Sequence, residues 1–253
     1  MLDEAFAFLA NEVTPPWFAD WAATGRRLAT LRQPTDTVAE VLNRALAPDV
    51  RLSAGPLTFV PQAALPEGEA YEAFIARTAC VPTREHPHDL LNGMVWCRFP
   101  ELKRHLNERQ AEEIRRHGIG PRRGAVRDAL TLLDENGAFL QAPGRLAEAL
   151  QARAWRRLFV DLRPAWGEAR LVLVGHALME KLMLSPHKSI TAHVWLLPEG
   201  FEPERALVNA LTPEYLASRA HLPLPLAGVP GWWPGNDSPS FYDDVAVFRP
   251  LRR

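Results

Sequence analysis

The densest mixture of polar and apolar side chains in this chain lies within Val81–Gln110. Arg84, His88, Asp89 and Asn92 occupy the junction between a predicted loop and a predicted helix. The first turn of a helix has unpaired backbone N–H groups that attract anions, and an arginine beside it adds a forked cation for phosphate or carboxylate. This group therefore predicts a small anionic ligand. The alternative is that Asp89 completes the start of the helix and forms an ion pair with Arg84.

A second predicted helix in the same stretch, Glu101–His117, has a polar stripe along one face. Lys103, Asn107 and Gln110 recur at intervals of four and three residues, which places them side by side on a helix. We expect Lys103 and Asn107 to bind the same ligand as Arg84.

Far along the chain, a second polar group directly follows a short apolar strand. His176 and Glu180 are four residues apart and therefore share one face of a predicted helix. Lys181, Lys188 and His193 come after them. In α/β folds, the sheet edge at which a strand leads into a helix often binds ligands. We expect Lys181 and Lys188 to help hold an anion at this edge.

Three chemical roles are open for this second group. His176, Glu180 and His193 have the donor types of a two-histidine, one-carboxylate site for a divalent metal, to which His88 or Asp89 could add a ligand. Without a metal, histidines and carboxylates could transfer protons as acid and base. The catalytic candidates are then His88, Asp89, His176 and Glu180. The third role is structural, with a buried Glu–His hydrogen bond that orders the core.

Composition and missing motifs argue against several classes of function. The chain has 253 residues, a formal net charge of −1 and two cysteines, so its bulk charge does not point to nucleic acid or membrane. Its N-terminus is acidic where a signal peptide is basic, and no apolar run approaches the ~20 residues of a membrane helix. We therefore expect a cytoplasmic protein. The P-loop, dinucleotide-binding, H-E-x-x-H, paired C-x-x-C and G-x-S-x-G motifs are all missing. Because no serine lies in a G-x-S-x-G elbow, nucleophilic catalysis has little support.

Apolar periodicity predicts a single domain over residues 1–253, helix-rich and of the α+β or α/β class, around a small mixed β-sheet. Residues 1–50 form a helical N-terminal layer in this interpretation, with Thr37 as an N-cap, and the C-terminal part is a loop-rich wrap. Asn136-Gly137 favours a tight hairpin turn. The predicted sheet consists of a hairpin over Ala129–Leu133, Asp134–Gly137 and Ala138–Gln141, and of the strands Arg170–Val174 and Ser189–Leu197.

Three further predictions concern the segments between these strands. The pattern favours a loop over Val81–Pro87. Because proline suits the first position of a helix, it also favours a helix that runs from about His88 to Cys97. It also predicts one long helix over Pro143–Leu162, and helical structure over Ala206–Arg219 with a break at Pro213.

Several separated motifs occur in order between Pro82 and Pro250. They are P-T-R at Pro82–Arg84, H-D-x-x-N-x-x-x-W at His88–Trp96, F-P-x-x-K-x-x-x-N-x-x-Q at Phe99–Gln110, R-D-A-L-T-L-x-D-E-N-G at Arg127–Gly137, G-H-A-L-M-E-K-L at Gly175–Leu182, P-H-K-S-I-T-A-H at Pro186–His193, and a tail from P-G-W to F-Y-D-D. Together they resemble an uncharacterised bacterial family, the domain of unknown function 3025. The resemblance carries no established activity, but it implies that the polar groups belong to one pattern. The family tends to have Asn-Leu where this chain has His86-Pro87, which favours His88 over His86 as a ligand.

The leading hypothesis is an enzyme, metal-dependent and hydrolase-like in one version, that acts on a small anionic or phosphorylated ligand. The anion would be held by Arg84, Lys103, Lys181 and Lys188. This hypothesis requires Val81–Gln110 and Gly175–His193 to contribute to one site.

Two other classes of function stay open. A non-catalytic module that binds protein or nucleic acid would use Arg122, Arg123 and Arg127, together with Trp232-Trp233, because basic side chains beside aromatic rings can bind single strands. Nucleic acid is the less favoured of these partners. In the third hypothesis the polar residues only cap helices and attach loops to the core.

Overall fold

The computed structural model describes residues 1–118, 124–197, 211–218 and 220–251. The described chain groups into two compact units that alternate along the sequence. The first contains residues 1–14, 20–118, 124–131 and 211–218, and the second contains residues 15–19, 132–197 and 220–251. The single domain over residues 1–253 stays a prediction.

The N-terminal part of the first unit is helical, as predicted. Its helices are α1 (Leu2–Ala10), α2 (Ala22–Leu31) and α3 (Val38–Ala45), and a 3-10 helix (Pro16–Trp21) precedes α2. Thr37 is the N-cap of α3, as predicted, because its side chain accepts from Glu40 N while the Glu40 carboxylate accepts from Thr37 N at 2.8 Å. This capping box leaves the apolar face of α3 to the core, with Val38, Val41 and Leu42 buried.

Two small β-ribbons and a helix follow. Their bounds are β1 (Arg51–Leu52), β2 (Gly55–Pro56), β3 (Thr58–Pro61), α4 (Tyr71–Thr78) and β4 (Cys80–Thr83). The predicted loop over Val81–Pro87 is wrong at its start, because β4 pairs in parallel with β3. Pro82 is tolerated there because a two-stranded ribbon leaves one edge of each strand without a partner.

Helices α5 (Pro87–Arg98) and α6 (Pro100–His117) cover the segment that the sequence marks as polar. Each begins with proline at its first position, where the missing N–H costs nothing. Helix α6 ends at Gly118, whose φ of 70° suits glycine. The predicted boundaries of both helices are confirmed to within one residue.

The predicted hairpin over 129–141 is wrong. Helix α7 (Ala125–Asn136) occupies its first strand and most of its turn, and β5 (Gly137–Gln141) begins directly after it. Arg127, Leu130 and Leu133 are buried at a spacing of three, which is a helical period and overrides the local Asn-Gly turn signal. Asp134 and Glu135 therefore lie on the last turn of a helix.

The second unit contains a four-stranded mixed sheet in the order β6-β5-β7-β8. Its other strands are β6 (Arg170–Leu173), β7 (Thr191–Leu197) and β8 (Leu222–Pro225). β5 is antiparallel to β6 and parallel to β7, and β8 is antiparallel to β7. The strands predicted at 170–174 and 189–197 are confirmed, whereas β8 was not predicted because Pro223 and Pro225 interrupt it.

The long helix predicted over Pro143–Leu162 is broken. Helix α8 (Gly144–Gln151) ends early, and a π-helix (Arg157–Asp161) and a 3-10 helix (Arg163–Glu168) follow. Ala154 N donates to Ala149 O and Arg153 N to Leu150 O, the two hydrogen bonds of a Schellman cap. Arg153 takes the left-handed position of this cap with a φ of 48°.

Helix α9 (His176–Leu184) connects β6 to β7, and α10 (Pro213–Ala217) lies in the first unit. Residues 206–210 and 219 of the helix predicted over Ala206–Arg219 lie outside the described residues, and α10 lies within the described part, 211–218. Within the described ranges, no helix has the length and apolar character needed to cross a membrane. The helices and strands described above confirm a helix-rich α+β fold with small mixed sheets.

Candidate functional site

Arg84 and Asp89 form an ion pair at the start of α5. The Asp89 carboxylate accepts from Arg84 N at 2.7 Å, from Arg84 Nη2 at 2.8 Å and from Arg84 Nε at 3.2 Å. The Asp89 side chain is 9% exposed and that of Arg84 59%. This is the pairing that the structural alternative requires, and a ligand role for the outer face of Arg84 stays a prediction.

His86 and His88 have different positions around the same helix start. His86 is the N-cap of α5, and its Nδ1 accepts from His88 N at 3.2 Å. This capping role was not predicted, because histidine is not among the usual N-cap residues. His88 is half-buried in the first turn of α5. Its catalytic and metal-ligand roles stay predictions.

Two buried asparagines of the first unit bind neighbouring polar groups. Asn92 Nδ2 donates to Tyr71 Oη at 3.2 Å, and Asn107 Nδ2 donates to Glu72 O at 3.0 Å and to the Glu72 carboxylate at 2.5 Å. Lys103 is also buried, and its Nζ lies 5.5 Å from the centre of the Trp96 ring. The structure thus places Asn92, Lys103 and Asn107 in the interior of the first unit.

His176 is the chemical centre of the second unit. It is 4% exposed and is the first residue of α9. Its Nδ1 lies 3.9 Å from Asp134 Oδ2, and its Nε2 lies 3.8 Å from Glu135 Oε2. Both distances exceed those of hydrogen bonds, and each carboxylate lies near a different ring nitrogen. Asp134 and Glu135 thus lie beside His176 on the last turn of α7 and not in the predicted hairpin turn.

The close approach of two glycines places His176 beside the end of α7. Gly137 O accepts from Val174 N at 3.0 Å and from Gly175 N at 2.8 Å. A Cβ atom on Gly175 would lie 2.5 Å from Gly137 N and 2.6 Å from Asn136 Cα, so only glycine fits there. Because His176 follows Gly175 directly, this contact fixes its position relative to the last turn of α7.

The predicted metal set of His176, Glu180 and His193 is not brought together. The ligand atoms of these three residues do not all lie within 4.8 Å of one another. Glu180 is half-buried on α9, and His193 lies on β7 with its ring 5.3 Å from that of His221. Burial, aided by the positive charges of His221 and Lys181, holds the pKa of His193 below its ordinary value of 6.5, so this imidazole is neutral at pH 7.

The two predicted anion-binding lysines of the second unit differ in their surroundings. Lys181 is exposed, and its Nζ lies 3.4 Å from Asn136 Oδ1 at the end of α7. Lys188 Nζ donates to Asp244 Oδ2 at 2.9 Å and lies 4.1 Å from the centre of the Phe241 ring. Lys188 therefore attaches the C-terminal segment, whereas Lys181 is positioned beside the turn that carries Asp134 and Glu135.

The residues of the nucleic-acid hypothesis are only partly described. Arg122 and Arg123 lie outside the described residues. Arg127 is 9% exposed, and its Nη1 donates to Gly118 O at 3.5 Å, which leaves little of it for a partner. Trp232 and Trp233 pack against Trp17, at 6.4 and 6.2 Å between ring centres. Both tryptophans thus have an intramolecular partner, and binding of nucleic acid stays a prediction.

Comparison with known proteins places the chain in a family without giving it an activity. No curated protein and no solved structure matches the sequence. A family model described as protein of unknown function DUF3025 matches residues 57–252, which is more than half of the chain. The resemblance of the separated motifs is thereby confirmed, and the chain belongs to the DUF3025 family.

Proposed function

We propose that this protein is a metal-dependent enzyme that acts on a small anionic substrate, with His176 and Glu135 as ligands of a divalent ion. The observation that carries the proposal is the separation of 3.8 Å between His176 Nε2 and Glu135 Oε2. Imidazole nitrogens and carboxylate oxygens bind Zn²⁺ at about 2.0–2.2 Å, so two atoms at this separation can bind one ion between them.

The surroundings of His176 support the same role. Asp134 Oδ2 lies on the Nδ1 side of the ring, where metal-binding histidines commonly have a carboxylate that fixes their orientation. Gly175, the N-cap of α9, makes no side-chain capping bond. Glycine has no side chain that could cap the N–H groups of the first turn of α9. These N–H groups and the exposed Lys181 favour a substrate with negative charge.

Metal titration of the full chain tests the proposal. After chelation and buffer exchange, Zn²⁺ and Mn²⁺ are titrated calorimetrically into the wild type, His176→Gln and Glu135→Gln. We expect binding by the wild type and a loss of affinity of at least about tenfold in each variant, since each lacks one ligand. Asp134→Asn should weaken binding less, because Asp134 acts through His176.

Two exposed residues of α6 supply matched controls. His117→Gln and Glu101→Gln remove the same kinds of side chain at sites that are 68% and 49% exposed, and should leave metal affinity unchanged. A wild type that binds neither ion, or variants that bind as tightly as it does, would contradict the proposal. His88→Gln tests separately the sequence prediction that Val81–Gln110 supplies a further ligand.

The second candidate function is acid–base catalysis by His176 without a metal. It is favoured by the placement of Asp134 and Glu135 at opposite ring nitrogens, since one carboxylate can orient the ring while the other nitrogen exchanges a proton with substrate. A thermal-shift screen with phosphorylated and carboxylated metabolites tests it. Compounds that raise the melting temperature of the wild type but not of His176→Gln support this candidate. A lower stability of His176→Gln with an unchanged ligand response indicates a structural role instead.

A further inference from the structure

The second unit has a cavity that none of the roles above uses. Its volume is about 330 Å³, within the lower range of small-molecule sites. Its lining includes Arg153, Ser189, Thr191, His193, Val247 and Arg249. His176, Asp134 and Glu135 do not line it.

One face of the β7–β8 ribbon forms the floor of this cavity. Thr191 is paired with Pro225 and His193 with Pro223, and residues that are directly opposite in an antiparallel pair lie on the same face. The floor is therefore rigid and half apolar. Two prolines on an edge strand also leave β8 with few N–H groups, so side chains are the main donors there.

The charge of the lining is positive. Arg153 and Arg249 contribute two guanidinium groups, and no carboxylate is among the lining residues that the structure describes. Arg249 is fixed in place, because its Nε donates to Ala246 O at 3.1 Å and its carbonyl accepts from Trp155 Nε1 at 2.8 Å. The side chain of Arg153 has no hydrogen bond or ion pair with any described residue. The cavity therefore has a net attraction for anions.

The backbone at Arg153 gives an independent reason to assign this side chain a role. It occupies the left-handed position of the Schellman cap that ends α8, with a φ of 48°. Glycine is favoured at this position because a Cβ atom is strained there. Helix capping alone therefore does not account for arginine at this position.

We propose that this cavity binds a small molecule with an oxyanion group, phosphate or carboxylate, held by Arg153 and Arg249. Guanidinium groups match both anions with paired N–H donors. Pro223, Pro225 and Val247 contact a compact apolar body attached to the anion, and the hydroxyl groups of Ser189 and Thr191 offer further polar contacts.

Binding of phenyl phosphate to the full chain tests this proposal. Phenyl phosphate and benzoate supply the two anions with an apolar body, and inorganic phosphate supplies an anion without one. Benzyl alcohol is the neutral control. We expect phenyl phosphate or benzoate to bind more tightly than inorganic phosphate, and benzyl alcohol not to bind. Arg153→Gly should weaken the tighter ligand by at least about tenfold. This variant relieves backbone strain, so a loss of binding cannot be assigned to misfolding.

Two further variants make the result specific. Arg156→Ala removes an exposed arginine three residues away that does not line the cavity, and should leave affinity unchanged. His176→Gln should also leave it unchanged, so this proposal can fail or succeed apart from the metal site. The proposal is overturned if no anion binds at millimolar concentration, if benzyl alcohol binds as well as phenyl phosphate, or if Arg153→Gly and Arg156→Ala weaken binding equally.

Discussion

Two polar clusters of the described residues each combine a basic side chain with carboxylates at the start of a helix, yet their geometry differs. At the start of α5, the Asp89 carboxylate accepts hydrogen bonds of 2.7 to 3.3 Å from Arg84. At the start of α9, the carboxylates of Asp134 and Glu135 lie 3.9 and 3.8 Å from His176. Hydrogen bonds join the residues of the first cluster, whereas the ring and the two carboxylates of the second lie beyond hydrogen-bond distance of each other.

The difference separates two uses of buried polar groups. A carboxylate with full hydrogen bonding stabilises the fold, and its removal leaves donors without partners. Ligand atoms held at 3.8 Å stabilise the fold less, but their separation suits an ion or a proton carrier. The predictions that follow test whether the two clusters divide in this way between stability and chemistry.

The largest loss of stability is expected for Asp89→Asn. The change keeps the shape of the side chain but removes its charge and replaces an acceptor with a donor, which faces Arg84 N or its guanidinium. We expect the free energy of unfolding to fall by about 2–4 kcal/mol, measured by urea denaturation. Glu101→Gln, in the first turn of α6 and 49% exposed, should change it by less than about 0.5 kcal/mol. An equal effect of both variants would remove the structural role of the Arg84–Asp89 pair.

Asn107→Asp should have the next largest effect. The substitution places a second carboxylate beside that of Glu72, which now accepts from Asn107 Nδ2 at 2.5 Å. Repulsion and the loss of a donor should lower the free energy of unfolding at pH 7 by about 2–3 kcal/mol. Most of this should return in Glu72→Gln/Asn107→Asp, whereas Glu72→Gln alone should be nearly neutral. A double variant as unstable as Asn107→Asp would show that the Glu72 contact is not the cause.

The smallest effect is expected for Asp134→Asn. Its carboxylate lies 3.9 Å from His176 Nδ1, so no hydrogen bond to this ring is lost. We expect the free energy of unfolding to change by about 1 kcal/mol or less, although the substitution is the same as Asp89→Asn. Urea denaturation of the two variants at one pH gives the comparison directly. A loss at Asp134 as large as that at Asp89 would mean that both clusters are structural.

Short-range signals were enough for much of the fold. Thr37 with Glu40, Pro87, and Gly118 are local caps and breakers, and each marks a helix end in the structure. The Asn136-Gly137 signal failed for a physical reason. A turn propensity of two residues competes with the burial of a helical face over twelve, and burial of Leu130 and Leu133 prevails.

For the candidate site, the sequence identified His176, and only the tertiary structure showed which carboxylates lie beside it. His176 follows a strand that leads straight into its helix, whereas the four-residue spacing predicted Glu180 as its neighbour and the position on the next strand predicted His193. Asp134 and Glu135 lie within 4 Å of its ring nitrogens, because the contact between Gly137 and Gly175 joins segments that are far apart in the chain. The prediction that the two polar stretches contribute to one site stays a prediction.

The sequence by itself determined the α+β class, the boundaries of α5 and α6, membership of the DUF3025 family and the residues worth testing. These follow from periodicity, caps and motifs, which act within a few residues of one another. Only the tertiary structure decided that Asp89 is bound by Arg84, that His176 faces Asp134 and Glu135, and that Arg153 and Arg249 line one cavity. The last two depend on contacts between segments far apart in the chain, and strand pairing and glycine approach fix such contacts without leaving a periodic trace in the sequence.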